Sequence, residues 1–430
     1  MRSSEWDPPS DLLAWIAAIL SMLGLIIVLA GSSLGALLFL AVWGLMAVVR
    51  ADRCRQLVFR SPGLWLVPAL ALVSAIWSAA PGWTLRAAVQ LILTVGVASL
   101  VAGLLRPREF VSAMSVALLL GAVLSLMFGR YGVDGVTSTT VFLGIFASKN
   151  TMALFMSFLV IFAAAVLIDR GQPAWLRLLA TFSFLLSVPL LLKAHSVGAL
   201  ASTAVSFMVL PLTLVFARLR SRERILMLAG VAAFALPLAA VLAIVALNGL
   251  LDDTISSFIT GVLGKDATLT GRTLLWRIAL AEIEKHPFLG IGYSAFWQQG
   301  NLLAESIWRY FGINSRMGFH FHDTYLEIAV ELGWVGVAAF VATLILAIER
   351  LFRLALADQT PATACLVAAV FCLTIRTVAE VDAPFPFAIG TFWLFAIAAY
   401  GADYARAVRS HSRPVSVPPL LWAGRPNAGA

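Results

Sequence analysis

The chain has 430 residues, of which 61% are hydrophobic and only 12% are charged. Soluble globular domains contain about 45–50% apolar and about 25% charged residues, so this composition excludes that class and indicates an integral membrane protein. The formal net charge of +8 does not indicate nucleic-acid binding, because the basic residues lie in short connections between apolar runs. The three cysteines, Cys54, Cys365 and Cys372, show no metal-ligand or disulfide spacing.

Apolar runs long enough to cross a bilayer recur along most of the chain. One crossing needs about 20 apolar residues. The sequence predicts an all-α integral membrane protein with about twelve transmembrane helices, at residues 12–30, 34–49, 63–79, 85–105, 110–128, 151–168, 175–192, 198–217, 225–247, 324–348, 362–380 and 386–403. One large loop separates the ninth predicted helix from the tenth.

The lysines and arginines divide the connections into two sets, and the basic set normally faces the cytoplasm. That set contains Arg50, Arg53, Arg55, Arg60, Arg106, Arg108, Arg170, Arg177, Arg218, Arg220, Arg222, Arg224, Arg350 and Arg353. Both termini are therefore expected in the cytoplasm and the large loop outside. The predicted organisation is helices 1–9 in residues 1–247, the outer loop in 248–323, helices 10–12 in 324–403, and a disordered cytoplasmic tail in 404–430.

The outer loop is the one long interval where a soluble surface of any size can form. Within it, residues 273–286 predict an amphipathic helix whose apolar face includes Leu275, Leu280 and Ile283. That face needs a surface to cover, either the membrane rim or the helix bundle. The GIGY segment at 290–293 predicts a turn and not a phosphate-binding loop, since no strand–glycine–helix unit surrounds it.

Basic residues on the outer side are the first candidates for a binding site. Four of them lie at or inside predicted helix ends: Arg86, Lys149, Lys193 and Arg376. A cation that faces hydrocarbon costs a few kcal/mol, so each is expected to face the bundle interior or a watery cavity. Together with Arg272 in the outer loop, they are candidates to bind a diphosphate. The alternative is that they extend to the headgroups or form ion pairs, such as Arg376 with Glu380.

His320 and His322 stand directly before the tenth predicted helix, at the water boundary. With a usual pKa of about 6.5, a histidine there can accept a proton at neutral pH. Their spacing with Asp323 permits a metal site, but no third histidine or carboxylate cluster with ligand spacing accompanies them, so no metal is predicted. The alternative for His322 is a side chain that only hydrogen-bonds loop backbone. Glu327 is a candidate to orient the histidine or, as we favour, to pair with an arginine of a neighbouring helix.

Five segments carry a family pattern. The outer loop holds LTGRTLLW and EKHPFLGIGYSAFW, and FHFHDTYLEIAVELGWVGV leads into the tenth predicted helix. Upstream lie IWSAAPGWTLRAA at 76–88 and GIFASKNTMALFMS at 144–157. Together these segments resemble the O-antigen ligase and O-antigen polymerase superfamily, most closely its exopolysaccharide-polymerase branch, over about residues 76–340.

The resemblance implies a chemistry and a set of positions. Members of that family transfer a glycan from a polyprenyl diphosphate to a hydroxyl of another lipid-linked glycan or of lipid A core, on the periplasmic face and without a metal. By position, it implies that His322 is the catalytic histidine and Arg272 the loop arginine, with Arg86 and the Lys149–Asn150 pair as further family residues. Ligases commonly have a Ser-Arg pair where this chain has Ser196-Val197. That difference disfavours a ligase and leaves Lys193 as a substitute charge.

The expected function is a glycosyltransferase of the bacterial inner membrane, a polymerase without metal or cofactor, that acts on the periplasmic side in exopolysaccharide or O-antigen biosynthesis. The expected catalytic residues are His322 and Arg272; the expected diphosphate ligands are Arg86, Lys149, Lys193 and Arg376; His320, Asn150 and Glu327 are expected to support them. The expected partners are a polyprenyl-diphosphate-linked oligosaccharide, an acceptor glycan and membrane lipids, with polysaccharide export or chain-length proteins as further candidates. The alternatives are an O-antigen ligase acting on lipid A core, a lipid-glycan transporter or flippase, and an assembly role in a cell-envelope complex.

Overall fold

The computed structural model describes residues 11–58, 60–133, 140–227, 271–313, 316 and 319–411. The first nine helices are α1 (Leu12–Leu29), α2 (Leu34–Val49), α3 (Ala51–Val58), α4 (Leu66–Val73), α5 (Pro81–Leu104), α6 (Pro107–Phe128), α7 (Lys149–Ile168), α8 (Ala174–Lys193) and α9 (Val197–Arg218). Residues 221–227 are also helical. The later helices are α10 (Arg272–Lys285), α11 (Leu302–Tyr310), α12 (Thr324–Asp358), α13 (Pro361–Arg376) and α14 (Ile389–His411).

The described helices make the chain a multi-pass membrane protein. Seven of them are long and apolar enough to cross a membrane, or up to eight if α2 and α3, which meet at 112°, form one bent span. α13 is a shorter apolar helix, and the predicted third span consists of α4 between two 3₁₀ turns, Pro62–Trp65 and Ser74–Ile76. Most of the predicted ninth span, the loop up to residue 270 and the tail from 412 lie outside the described residues. The count of twelve spans and the domain boundaries therefore stay predictions.

The core of the bundle is built around α7. Every residue from Met152 to Val166 is buried, because this segment is apolar on all sides and α6, α8, α9 and α13 pack around it. The ring of Phe158 stacks on that of Trp393 in α14, with centroids 3.9 Å apart. This stacking ties the middle of α7 to the last helix.

A second, smaller core lies between α10, α11 and the first turns of α12. Leu275, Ala279 and Ile283 of α10 are buried there together with Trp308 of α11. Their i, i+4 spacing forms one stripe, which packs on α12. The predicted apolar face is therefore correct for Leu275 and Ile283 but wrong for Leu280, which is exposed. The prediction left open whether this face packs on the membrane rim or on the helix bundle. In the structure it packs on the bundle.

The long helix α12 is broken at Gly333, whose φ of 64° and ψ of −170° are not helical. The break frees the carbonyl of Glu331, which accepts a hydrogen bond from the backbone N–H of Gly292 at 2.8 Å. A Cβ at position 333 would lie 2.2 Å from the backbone of Phe288, so only glycine permits this approach. The predicted turn at 290–293 thus inserts into a gap in α12 that the sequence did not predict.

A small hairpin interrupts the helices between α6 and α7. The strands β1 (Arg130–Val133) and β2 (Thr140–Gly144) pair antiparallel. An all-α prediction missed them because they are only four and five residues long. The hairpin leads the chain to the start of α7.

The helix ends form two differently charged faces of the bundle. At one face Arg108 pairs with Asp169 at 2.7 Å and Arg60 pairs with Asp403 at 3.3 Å. This face contains the basic connections that the sequence assigned to the cytoplasm. The opposite face contains the starts of α5, α7 and α12, the end of α13, and the second core.

Candidate active site

The carboxylate of Glu380 is the centre of a polar cluster on that opposite face. Arg272 Nη2 and Asn150 Nδ2 each donate a hydrogen bond to Oε1 at 2.7 Å. The Nδ1 atom of His322 lies 3.5 Å from Oε2. The side chains of His322, Arg272 and Glu380 are 25%, 20% and 12% exposed, so the cluster is shielded but reachable.

Asn150 is oriented by the first turn of α7. The hydroxyl of Ser148 accepts the backbone N–H of Thr151 at 3.1 Å and caps the helix. Buried Ser196, just before α9, donates its hydroxyl to Asn150 Oδ1 at 3.2 Å. Because Oδ1 is the acceptor of this bond, Nδ2 is the group that donates to Glu380.

Arg272 is positioned by the start of α10. It follows Gly271, whose φ is 82°. A Cβ at position 271 would lie 2.8 Å from the ring of Phe311, so glycine is required where the chain turns into the helix. The packing of α10 on α12 then keeps the guanidinium close to the histidine segment.

The two histidines have different surroundings. The backbone of His322 has a φ of 56°, and its N–H donates to His320 Nδ1 at 3.1 Å. The ring centroids are 4.3 Å apart. The sequence left open that the imidazole of His322 only hydrogen-bonds loop backbone. In the structure it is the imidazole of His320 that does so. Nδ1 of His322 is buried, and its contact with Glu380 is longer than a good hydrogen bond.

Thr324 joins the histidine segment to the chain beyond α13. Its N–H donates to the carbonyl of Thr377 at 2.9 Å, and its hydroxyl donates to the carbonyl of Glu380 at 2.7 Å. Asp323 caps α12 by accepting the N–H of Leu326 at 2.9 Å. These bonds fix the position of the His322 backbone relative to that of Glu380.

The charges of the cluster keep Glu380 ionised. Burial alone would raise its pKa, but the contact with and charge of His322, and then the charges of Arg376 and Arg272, lower the pKa of Glu380 to about 2. Burial, reinforced by the charges of His322 and Arg272 against that of Glu380, lowers the pKa of His320 to about 3. At neutral pH His320 is therefore uncharged, whereas Glu380 is a carboxylate.

Arg376 already has a partner. Its Nε and Nη2 atoms donate to Asp382 at 2.6 and 3.3 Å, and the residue is buried. The predicted alternative, an ion pair with Glu380, is wrong. The backbone N–H of Glu380 still donates to the carbonyl of Arg376 at 2.8 Å, but the guanidinium of Arg376 pairs with Asp382 instead.

The other three predicted cations differ in exposure. Lys149 is half-buried beside Asn150, as the first residue of α7. Arg86 is exposed on α5, and its guanidinium carbon lies 5.3 Å from the ring centroid of Trp83. Lys193 is exposed at the last residue of α8, and it takes no part in the cluster's contacts within the described ranges.

A cavity of about 620 Å³ opens beside the histidines. Its lining includes Trp83, Trp297, Phe319, His320, Glu327 and Glu331. Glu327 accepts hydrogen bonds from Trp297 Nε1 and from the backbone N–H of Phe321, both at 2.8 Å. Glu327 thus holds the backbone between the two histidines. The favoured prediction that it pairs with an arginine is wrong for the part of the chain that the structure describes.

His320, His322 and Glu380 also bring three possible metal donors together, within 4.8 Å of one another. The reason for predicting no metal, the lack of a third ligand, is therefore wrong. However, Oε1 of Glu380 already accepts from Arg272 at 2.7 Å, and this guanidinium would repel a cation bound beside it. The charge arrangement suits an anionic ligand better than a divalent cation.

Glu380 is the residue whose central role the sequence analysis missed. Its spacing predicted only a helical partner for Arg376. A signal was present, because Glu380 is an acid at the outer end of an apolar run, opposite several cations. That signal predicts an ion pair but not its partner, since Arg272 lies 108 residues away in the chain.

Comparisons with known proteins identify the family of this chain. The family model described as O-antigen ligase matches residues 182–341, a range that includes Arg272 and both histidines. The exopolysaccharide production protein ExoQ of Rhizobium meliloti (strain 1021) is 32% identical to this chain over 371 residues, which cover 84% of this chain and 82% of that protein. The chain therefore belongs to the O-antigen ligase and polymerase family of membrane proteins.

Proposed function

We propose that this protein is a glycosyltransferase of surface polysaccharide biosynthesis that moves a glycan from a polyprenyl-diphosphate carrier to a sugar hydroxyl. The observation that carries the proposal is the convergence of His322 and Arg272 on the carboxylate of Glu380. Family membership and the name of the Rhizobium meliloti relative support this class of function. The reaction would occur on the periplasmic face of the inner membrane.

His322 is the general base in this proposal. The carboxylate of Glu380 at Nδ1 favours the tautomer with its proton on Nδ1, so Nε2 is left to accept a proton. The acceptor hydroxyl attacks the anomeric carbon while its proton passes to Nε2. A new bond forms between the hydroxyl oxygen and the anomeric carbon, and the bond from that carbon to the diphosphate oxygen breaks.

Arg272 stabilises the departing diphosphate. A guanidinium has five N–H donors, so its bond to Glu380 leaves further donors for phosphate oxygens. Lys149, at the positive end of α7, and Arg86 are the other proposed phosphate ligands. Arg376 contributes only its positive charge and does not bind phosphate directly, because its guanidinium is paired with Asp382.

A polymerase is favoured over a ligase. The relative's name refers to exopolysaccharide production, and the position after Ser196, where ligases commonly have arginine, is here an apolar residue at the start of α9. Ser196 instead orients Asn150 through its hydroxyl. The transporter alternative is disfavoured because the polar cluster lies at the helix ends and not at the middle of the bundle.

The first experiment measures glycan transfer by the purified full-length protein with a polyprenyl-diphosphate oligosaccharide, with and without EDTA. We expect transfer in both conditions. His322→Ala and Arg272→Ala should lower the rate by at least about a hundredfold, since loss of one stabilising group costs about 3–4 kcal/mol of barrier. His286→Ala and Arg277→Ala change exposed residues of the same region and serve as matched controls. Normal transfer by either site variant would refute the proposal.

The second experiment separates the two enzyme classes in a deletion strain. Loss of long polymer with single repeat units retained on the carrier supports a polymerase. Intact polymer that accumulates on the carrier lipid indicates a ligase. Unchanged polysaccharide length and yield would contradict both.

A further inference from the structure

A second cavity lies between α12 and α14, at the face opposite the Glu380 cluster. Its volume of about 690 Å³ is within the range of about 300–1,000 Å³ that is typical of small-molecule sites. Helix α12 contributes two arginines and a glutamate among apolar side chains, and α14 contributes Tyr404, Ala405 and Val408. The lining shares no residue with the cavity beside His320. It therefore belongs to a separate site.

The position along α12 places this cavity at the headgroup level of one leaflet. Thr324 begins α12 beside the Glu380 cluster, and Arg350 follows 26 residues later, at 350 minus 324. At about 1.5 Å per residue, the two positions are roughly 39 Å apart along the helix. A bilayer with its headgroup regions is about 40–45 Å thick. The cluster and the cavity therefore lie at opposite surfaces of the membrane.

Arg350 stands at the contact line of the two helices and has no partner in the protein. A Cβ at Gly401 of α14 would lie 2.9 Å from the Cβ of Arg350, so the two backbones approach closely here. The residue is half-buried, yet its guanidinium forms no ion pair or hydrogen bond within the ranges that the structure describes. A guanidinium has five N–H donors, so this one can bind an anion with several of them.

The charged side chains of the lining leave one positive charge without a counter-ion. Glu349 pairs with Arg353, and Arg350 is the remaining charge. The half-buried Tyr404 adds a hydroxyl that has no hydrogen-bond partner in the described part of the chain. One guanidinium with a hydroxyl beside it matches a phosphodiester, which carries a single negative charge.

The deeper end of the cavity is apolar and open to the lipid. Leu346 lines it one turn of α12 before Arg350, on the side of the bilayer centre. Leu346 is 43% exposed and its neighbour Ile345 is 60% exposed. A soluble anion would leave these side chains uncovered, whereas an acyl chain covers them. The cavity thus combines a cationic end at headgroup level with an apolar end in the hydrocarbon.

We infer that this cavity binds an anionic glycerophospholipid of the bilayer, with its phosphodiester on Arg350 and one acyl chain along Leu346. Basic pockets between membrane helices are suited to anionic headgroups, because the headgroup charge adds to the burial of the chain. The bound lipid contacts both α12 and α14 and therefore joins them. This site takes neither the donor nor the acceptor glycan, so the inference does not depend on the proposed function.

The test titrates phosphatidylglycerol or phosphatidylcholine into the delipidated full-length protein in detergent and counts bound lipid by native mass spectrometry. Both lipids have a phosphodiester, but the choline headgroup has no net charge. We expect phosphatidylglycerol to bind at least about fivefold more tightly. Glycerol 1-phosphate, which has the phosphate without acyl chains, should not bind at the same concentrations. Equal affinity for the two lipids, or equal binding of glycerol 1-phosphate, would overturn the inference.

Three variants assign the binding to the cavity. Arg350→Gln should lower the affinity for phosphatidylglycerol about fivefold, since one arginine near an anionic headgroup contributes a factor on that order. Ala357→Trp should weaken the binding of both lipids, because this exposed alanine lines the cavity and tryptophan fills it without changing the charge. Arg222→Gln is the matched control, since it removes the same charge from an exposed residue outside the lining.

The melting temperature without added lipid checks that each variant is folded. An equal loss of affinity in Arg222→Gln and Arg350→Gln would show a diffuse attraction to the basic face and refute the site. Wild-type affinity in both cavity variants would refute it as well.

Discussion

Glu380 joins side chains from distant parts of the chain at one pair of oxygen atoms. A buried carboxylate is unfavourable unless it is paired and hydrogen-bonded. Arg272 and Asn150 supply the hydrogen bonds, and His322 faces the other oxygen. The same contacts that stabilise the carboxylate therefore bring an imidazole, the proposed base, beside a guanidinium, the proposed phosphate ligand.

Glu380→Gln removes this charge while keeping the shape of the side chain. We expect transfer to fall on the order of a hundredfold, because the proton on Nδ1 of His322 loses its carboxylate partner. The melting temperature should change little, since the amide oxygen can still accept from Asn150. Glu349→Gln, which changes a surface carboxylate paired with Arg353, is the matched control. A variant with wild-type turnover would show that Glu380 does not position the base.

His320 makes stability depend on pH. Its pKa is about 3 in the folded protein, against 6.5 as the ordinary value. The unfolded chain therefore binds the proton more readily, and the stabilisation present above pH 6.5 is lost as pH falls from 6.5 towards 3.

We expect the melting temperature in detergent to fall between pH 7 and pH 4.5, and to fall less in His320→Asn. Asparagine keeps an acceptor for the His322 N–H but does not titrate. Equal pH dependence in the variant and the wild type would contradict this account.

At the scale of elements, the break in α12 fixes the position of its first turns, which follow the histidine segment. Before Gly333, Ala329 and Val330 belong to the second core, whereas Ile328 and Leu332 join the main core of the bundle. The buried residues of α12 after Gly333 belong to the main core. The segment 287–293 fills the gap and satisfies the freed backbone groups. The cavity therefore depends on a single glycine in the middle of a long apolar helix.

Gly333→Ala should destabilise the protein by at least about 2 kcal/mol, because a positive φ is unfavourable for alanine and its Cβ would meet the backbone of Phe288. Thermal unfolding in detergent measures the loss. Gly44→Ala is the control, since a Cβ at this helical position of α2 meets open space. Equal stability of the two variants would contradict the role of the break.

At the scale of the whole molecule, the basic connections and the Glu380 cluster lie on opposite faces of the bundle. Ion pairs such as Arg108–Asp169 lie at one face and the Glu380 cluster lies at the other. The distribution of basic residues predicts that the first face is cytoplasmic. All three native cysteines are buried, so the protein is suited to labelling of introduced thiols.

His286→Cys, beyond α10, should react with a membrane-impermeant maleimide on intact spheroplasts. Arg353→Cys, near the far end of α12, should react only after the membrane is permeabilised. Both residues are exposed, so access to the thiol depends on the side of the membrane. The wild-type chain is the background control, and the reverse pattern would show the opposite orientation.

Sequence by itself determined the properties that arise from neighbouring residues. Composition indicated a membrane protein, and apolar periodicity placed the amphipathic helix of the outer loop within one residue of α10, at Arg272–Lys285. The motifs indicated the family. These conclusions were accessible because hydropathy and helical periodicity depend only on local order along the chain.

Tertiary structure alone decided which distant side chains meet. It paired Glu380 with Arg272 instead of Arg376, gave the backbone-bonding role to His320, broke α12 at Gly333 and formed the aromatic cavity. Each of these features depends on contacts between segments far apart in the chain. Spacing along one chain cannot determine such contacts, because they are chosen by the packing of the whole bundle.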